Sequence, residues 1–113
     1  MTTVRIEELP EQLQSRILAA TAHAAHRRIR RLDADSGTDA AYAVEAVAGD
    51  RVTLMRLSLR PDESVDEATD SFTARDIVDV DRDASALTVR GPEGTRSVQV
   101  APETAEAVRA IRG

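Results

Sequence analysis

Apolar residues recur at helical spacing over the first third of the chain. Across residues 10 to 31, Leu13, Ile17, Leu18, Ala24, Ala25 and Ile29 fall on one broad face when successive positions are set about 100° apart, and Leu32 extends that face. Pro10 suits a first helical turn, where its missing N–H costs nothing. Glu11 complements the positive end of the helix dipole, and the arginines near residue 30 complement the negative end. The pattern predicts a long N-terminal helix. Arg28 falls inside its apolar arc, however, so a strand beginning near His26 is the competing reading.

Beyond that segment the period shortens to two. Residues 33 to 40 are polar and contain Gly37, which marks a loop. Residues 42 to 59 read as a hairpin about Gly49-Asp50, with glycine first as a type II′ turn requires. That turn sets a register of Val47 with Val52, Val44 with Met55 and Tyr42 with Leu57. Tyr42, Val44, Ala46, Met55 and Leu57 then share a face, while Glu45 and Arg56 fall on the opposite one, open to solvation although Val47, Val52 and Leu54 also sit there. Residues 60 to 71 are acidic, hold Val65 as their one large apolar residue, and read as a surface loop or a loose helical turn. Within residues 72 to 100, the alternations at Val78/Val80, Leu87/Val89 and Val98/Val100 predict a three-strand meander with turns at 81 to 86 and 91 to 94. Residues 102 to 112 form a short closing helix, with Pro102 at its start, Arg109 and Arg112 in its last turn, and Ala101, Ala105, Val108 and Ile111 as its inward stripe. Gly113 follows where a helix ends.

The resulting expectation is an α+β fold: one antiparallel sheet of about five strands, packed with a long N-terminal and a short C-terminal helix. At 113 residues the chain fits a single small domain, 1 to 113, large enough for a core of its own. Hydrophobic residues make up 42%, but Tyr42 and Phe72 are the only aromatics, so Val, Leu, Ile and Ala must fill the core. Cysteine is absent, which excludes disulfides, thiolate catalysis and thiolate zinc sites. No apolar run has the length of a membrane span, and the N-terminus shows no apolar signal core, so a cytoplasmic protein without membrane partners is expected. All fifteen cations are arginine and the net charge is -5, a balance that suits a GC-rich genome or a salt-loving host.

The densest chemistry is the stretch "AAHRRIRRLD" at residues 24 to 33. On a helix, Arg16, His23, Arg27 and Arg30 line one side at spacings of seven, four and three, with Arg31 adjacent, giving a basic strip able to track a polyanion or an acidic partner. The same strip also serves as a solvated face balanced by the acidic segment, and that is the expectation. His23 and His26 are three apart, but a catalytic zinc takes three protein ligands, and no carboxylate follows one turn later. Asp79, Asp81 and Asp83 alternate as in a calcium loop, yet Ala84 stands where the turn glycine belongs and Arg90 where the bidentate glutamate belongs. No serine has a histidine base and an orienting acid in view, and no glycine-rich phosphate loop follows a strand.

From Tyr42 to Arg112, meandering strands followed by a terminal helix that closes the sheet resemble a bacterial PH-like domain in order. Five strands are legible where that family has seven, and a long helix precedes them. The resemblance implies a binding or adaptor module and carries over no site residue. The expected function is therefore a non-catalytic protein-interaction or adaptor domain, with a protein partner or a second copy of itself and no cofactor. The alternative is a nucleic acid-binding or ribosome-associated protein using the arginine-rich face.

Overall fold

The computed structural model describes residues 2–32 and 40–112. Strand β1 spans Thr2–Val4, a 3₁₀ turn follows at Ile6–Glu8, and helix α1 spans Glu11–Ala20. Strands β2 (His26–Leu32), β3 (Ala40–Ala48), β4 (Arg51–Leu59) and β5 (Val65–Thr73) come next. A second 3₁₀ turn at Ala74–Asp76 leads to β6 (Ile77–Asp81), β7 (Ala86–Gly91), β8 (Gly94–Gln99) and helix α2 (Pro102–Arg112). The expected α+β class holds, with two antiparallel sheets in place of one: β1 to β5 in sequence order, and β6 to β8 in sequence order.

The hairpin has the register that its turn chemistry dictates. Val47 pairs with Val52, Val44 with Met55 and Tyr42 with Leu57, around a two-residue loop closed by Ala48 and Arg51. Gly49 has φ +60°, the left-handed value that the first position of a type II′ turn demands. The three meander strands and the closing helix also form, but β6 shifts register between Ile77 and Asp79, so Ile77 is buried and Val78, expected to face inward, is exposed.

Three expectations require correction. The helix expected over 10 to 31 ends at Ala20, and residues 26 to 32 form β2; at ten residues, α1 is shorter than the eleven-residue α2. Thr21 closes α1 by donating its hydroxyl to the Ile17 carbonyl at 2.6 Å, and His23 then turns the chain with φ +64°. Helix propensity in Ala24 and Ala25 is a weak preference. Pairing of all of β2 with β3 and burial of Ile29 outweigh it, and the strand keeps Arg28 out of a helical apolar face. The second correction concerns residues 60 to 71, expected as a loop. Only 60 to 64 turn: Arg60 N–H donates to the Ser64 carbonyl at 2.9 Å, and Asp62 Oδ1 accepts the Ser64 hydroxyl at 2.6 Å and its N–H at 3.0 Å. These bonds, the hydroxyl first, hold the Asp62 carboxyl below its ordinary pKa. From Val65 the chain is the edge strand β5, paired with β4 to Thr73. The third correction follows from the count of strands: β1, β2 and β5 join the hairpin, and the meander stands apart as the second sheet. The loop expected at 33 to 40 falls outside the described residues, except that residue 40 begins β3.

Both faces of the larger sheet are used. On the first, Ile29, Tyr42, Val44, Met55 and Leu57 pack with Leu9, Leu13 and Ile17 from the N-terminal helical segment. On the second, Val47, Val52 and Phe72 pack with Ile77, Leu87 and Val89 of the smaller sheet and with Ala105 and Val108 of α2. α1 thus covers one side of the five-stranded sheet, and α2 with the second sheet covers part of the other. Of the described residues, no helix is long and apolar enough to cross a membrane.

Candidate binding surface

Strand alternation takes the arginine-rich stretch apart. By register, Arg27, Ile29 and Arg31 share the α1 side of β2 with Ala46, Val44 and Tyr42, while His26, Arg28 and Arg30 share the opposite side with Val47, Glu45 and Ala43. The basic strip expected on a helix is therefore not formed: Arg27 and Arg30 lie on opposite faces of the sheet. Arg16 remains on α1 and pairs with Glu67 of β5 at 3.4 Å. His23 stands exposed in the turn after α1. Arg27 Nε donates to the Thr21 hydroxyl at 3.0 Å and Nη2 to the Thr21 carbonyl at 3.4 Å, placing a cation on the negative end of α1. Arg28 pairs with Glu103, in the first turn of α2, at 2.9 Å. Arg31 is exposed and Arg30 half-buried.

Glu45 is the unexpected member of this region. Its position on the polar alternation suggested water, but it is 5% exposed. The start of α2 explains this. Ala101 precedes the helix and has no side-chain oxygen to cap it, so the carboxylate of Glu45 reaches across from β3. Oε1 accepts the Ala101 N–H at 3.0 Å and the fully buried Thr104 hydroxyl at 2.6 Å. A carboxylate at a helix N-terminus is favoured by the unpaired N–H groups and by the dipole, and these bonds offset its desolvation. His26 Nε2 lies 2.8 Å from the same Thr104 oxygen. Since the single hydroxyl proton goes to Glu45, Nε2 is the donor to Oγ1 in this arrangement. His26, Thr104, Glu45 and the Ala101 amide form one chain of bonds that locks β2, β3 and α2 together. Its hydroxyl, on Thr104, is fully buried.

Next to this lock a groove of about 770 Å³ runs along the outer edge of β2. β1 covers that edge only from Ile29 to Arg31, where it pairs through Val4, Thr3 and Thr2. At Arg5 the chain turns away into the 3₁₀ turn, fastened by Arg5 N–H to Glu8 Oε2 at 3.3 Å. Among the described residues, His26, Arg27 and Arg28 have no neighbouring strand on that side. Arg5, Glu7 and Ile6 form one wall of the groove and Glu103 of α2 closes the other. His26, Arg27 and Arg28 thus come together at one place, while Arg16, His23, Arg30 and Arg31 do not join them.

The other candidate clusters resolve into local structure. Asp79 and Asp81 belong to β6, and Asp81 Oδ1 accepts the Ala84 N–H at 3.1 Å to shape the β6–β7 turn. Among the described residues, no three His, Asp or Glu side chains gather as metal ligands.

No family model, curated protein or solved structure matches the chain. Its reading rests on its own geometry.

Proposed function

We propose that the protein is a non-catalytic interaction domain whose partner docks along the open edge of β2. The groove there carries this reading. It is concave, it includes the edge of β2 at His26 to Arg28 that no strand among the described residues pairs with, and charges of both signs line it. Such an edge takes up an extended segment of another chain as an added strand, with main-chain bonds giving affinity and side-chain pockets giving specificity. A second copy of the chain is one source of that segment. The nucleic acid alternative has less behind it, because Arg16, Arg27 and Arg28 are engaged within the chain by Glu67, Thr21 and Glu103.

Site-specific photocrosslinking in the native host tests the proposal. A photoreactive side chain at Glu7, in the groove wall, should give a discrete crosslinked species, of partner or dimer mass. The same group at exposed Arg75, away from the groove, should not. Equal products from both positions, or none from Glu7, would contradict docking at this edge. A gel shift with RNA that fades as salt rises would favour the nucleic acid alternative.

A further inference from the structure

The register brings into line two arginines that lie far apart in sequence. On the second face of the five-stranded sheet, Arg30 pairs with Ala43, Ala43 with Arg56, and Arg56 with Ala68, so these four residues form one row across β2 to β5. The rows nearer the hairpin turn hold Val47, Val52 and Phe72, which pack under the second sheet and α2. This row lies beyond that cover: Arg56 and Ala68 are exposed, and Arg30 and Ala43 half-buried. The two arginines stand two strands apart, about 10 Å from Cα to Cα at the usual spacing. The alanine between them leaves a floor with no side chain to obstruct the space over it. Thr3 of β1 pairs with Arg30 and adds a hydroxyl at the end of the row.

Carboxylates on the same face are engaged elsewhere. Glu45 caps α2, Glu103 pairs with Arg28, Asp66 pairs with Arg60 at 2.6 Å, and Asp70 pairs with Arg96. Arg30 and Arg56 have no ion pair among the described residues. The Nε–H of Arg30 is also screened from water without an acceptor. Its guanidinium therefore gains a partner, and loses none, by turning onto a bound anion.

We propose that Arg30 and Arg56 clamp a compact oxyanion over Ala43, and that the ligand is a phosphate group on a small molecule or free inorganic phosphate. Guanidinium forks match the tetrahedral oxygens of phosphate, two bonds to each side. The row favours a compact anion over a polymer, because no further arginine among the described residues continues it: Ala43 lies between the two guanidinium groups and Ala68 beyond Arg56. The site lies on the sheet face and does not depend on the groove at the β2 edge.

The test is a titration of the full chain with inorganic phosphate, and separately with glycerol phosphate, at fixed ionic strength. It is followed through the arginine Nε–Hε resonances. Those of Arg30 and Arg56 should move together along one saturating curve, while those of exposed Arg75 and Arg90 stay in place. Arg56→Gln should weaken binding at least tenfold with an unchanged backbone spectrum, and Ala43→Leu should block it. Saturation with phosphate alone identifies the free anion; tighter binding of glycerol phosphate identifies a phosphomonoester. Uniform, non-saturating shifts across all the arginines, or full binding by Arg56→Gln, would overturn the clamp. RNA binding much tighter than phosphate and dependent on Arg56 would overturn the compact ligand.

Discussion

Replacing Thr104 with valine removes one hydroxyl and changes almost nothing else in volume, so it isolates the polar lock at the start of α2. Thr104 is fully buried, donates to Glu45 Oε1 at 2.6 Å and lies 2.8 Å from His26 Nε2. The valine keeps the packing and takes both bonds away. Glu45 then keeps only the Ala101 N–H, at 3.0 Å, in a site that excludes water. A hydrogen bond to a charged group contributes about 1.5–3 kcal/mol, and a buried group left unsatisfied costs about 1–3 kcal/mol. His26 is half-buried and recovers part of its loss from water. The expected destabilisation is about 2–4 kcal/mol on these magnitudes. It is measured by urea unfolding as a lower midpoint at constant slope. Glu45→Gln supplies the comparison. Its amide oxygen can still accept from Ala101 and Thr104, so it should cost less than Thr104→Val. A Thr104→Val protein within about 0.5 kcal/mol of wild type, the range of ordinary surface changes, would show that the bonds do not hold α2 in place.

Other expectations follow from the same geometry. Leu57→Ala, at a fully buried position, should cost about 2–5 kcal/mol in urea unfolding, against less than about 0.5 kcal/mol for exposed Arg56→Ala. Amide exchange along β5 should alternate, slow where the N–H meets β4 and fast where it faces the open edge; uniformly fast exchange from Val65 to Thr73 would mean the strand is not formed. Ser64→Ala should raise the titration point of Asp62 toward the ordinary carboxylate value, as followed by carbon NMR, because the hydroxyl is the main cause of its depression. The sign is fixed by linkage. A lowered folded-state pKa favours the folded turn above the unfolded value, and that contribution disappears as pH falls through the folded one.

The residues show why some of this fold could be read from the sequence and some could not. The hairpin was legible because Gly49-Asp50 allows one turn type and that turn brings apolar partners opposite each other. β5 was not, because an edge strand with one solvated face carries little apolar alternation, only Val65 and Phe72. In the arginine-rich stretch, the alanines around residue 20 carry the helical period through a turn that only the pairing of β2 with β3 specifies. Glu45 looked solvated because its partners, Ala101 and Thr104, lie 56 and 59 residues away. Arg56 escaped notice for a related reason. Only the pairing of three strands sets it beside Arg30, and sequence spacing holds no trace of that.

Every functional inference rests on residues 26 to 32 being a strand paired with β3, since that pairing splits the arginines between two faces and leaves the edge of His26 to Arg28 open. Backbone NMR of the labelled chain measures this directly. Strand-type Cα and Cβ shifts from His26 to Leu32, with cross-strand contacts between the backbones of Ile29 and Val44, are the expected result. Helical shifts running unbroken from Glu11 through Arg31, with amide–amide contacts between successive residues, would contradict it and restore a single basic face on a helix.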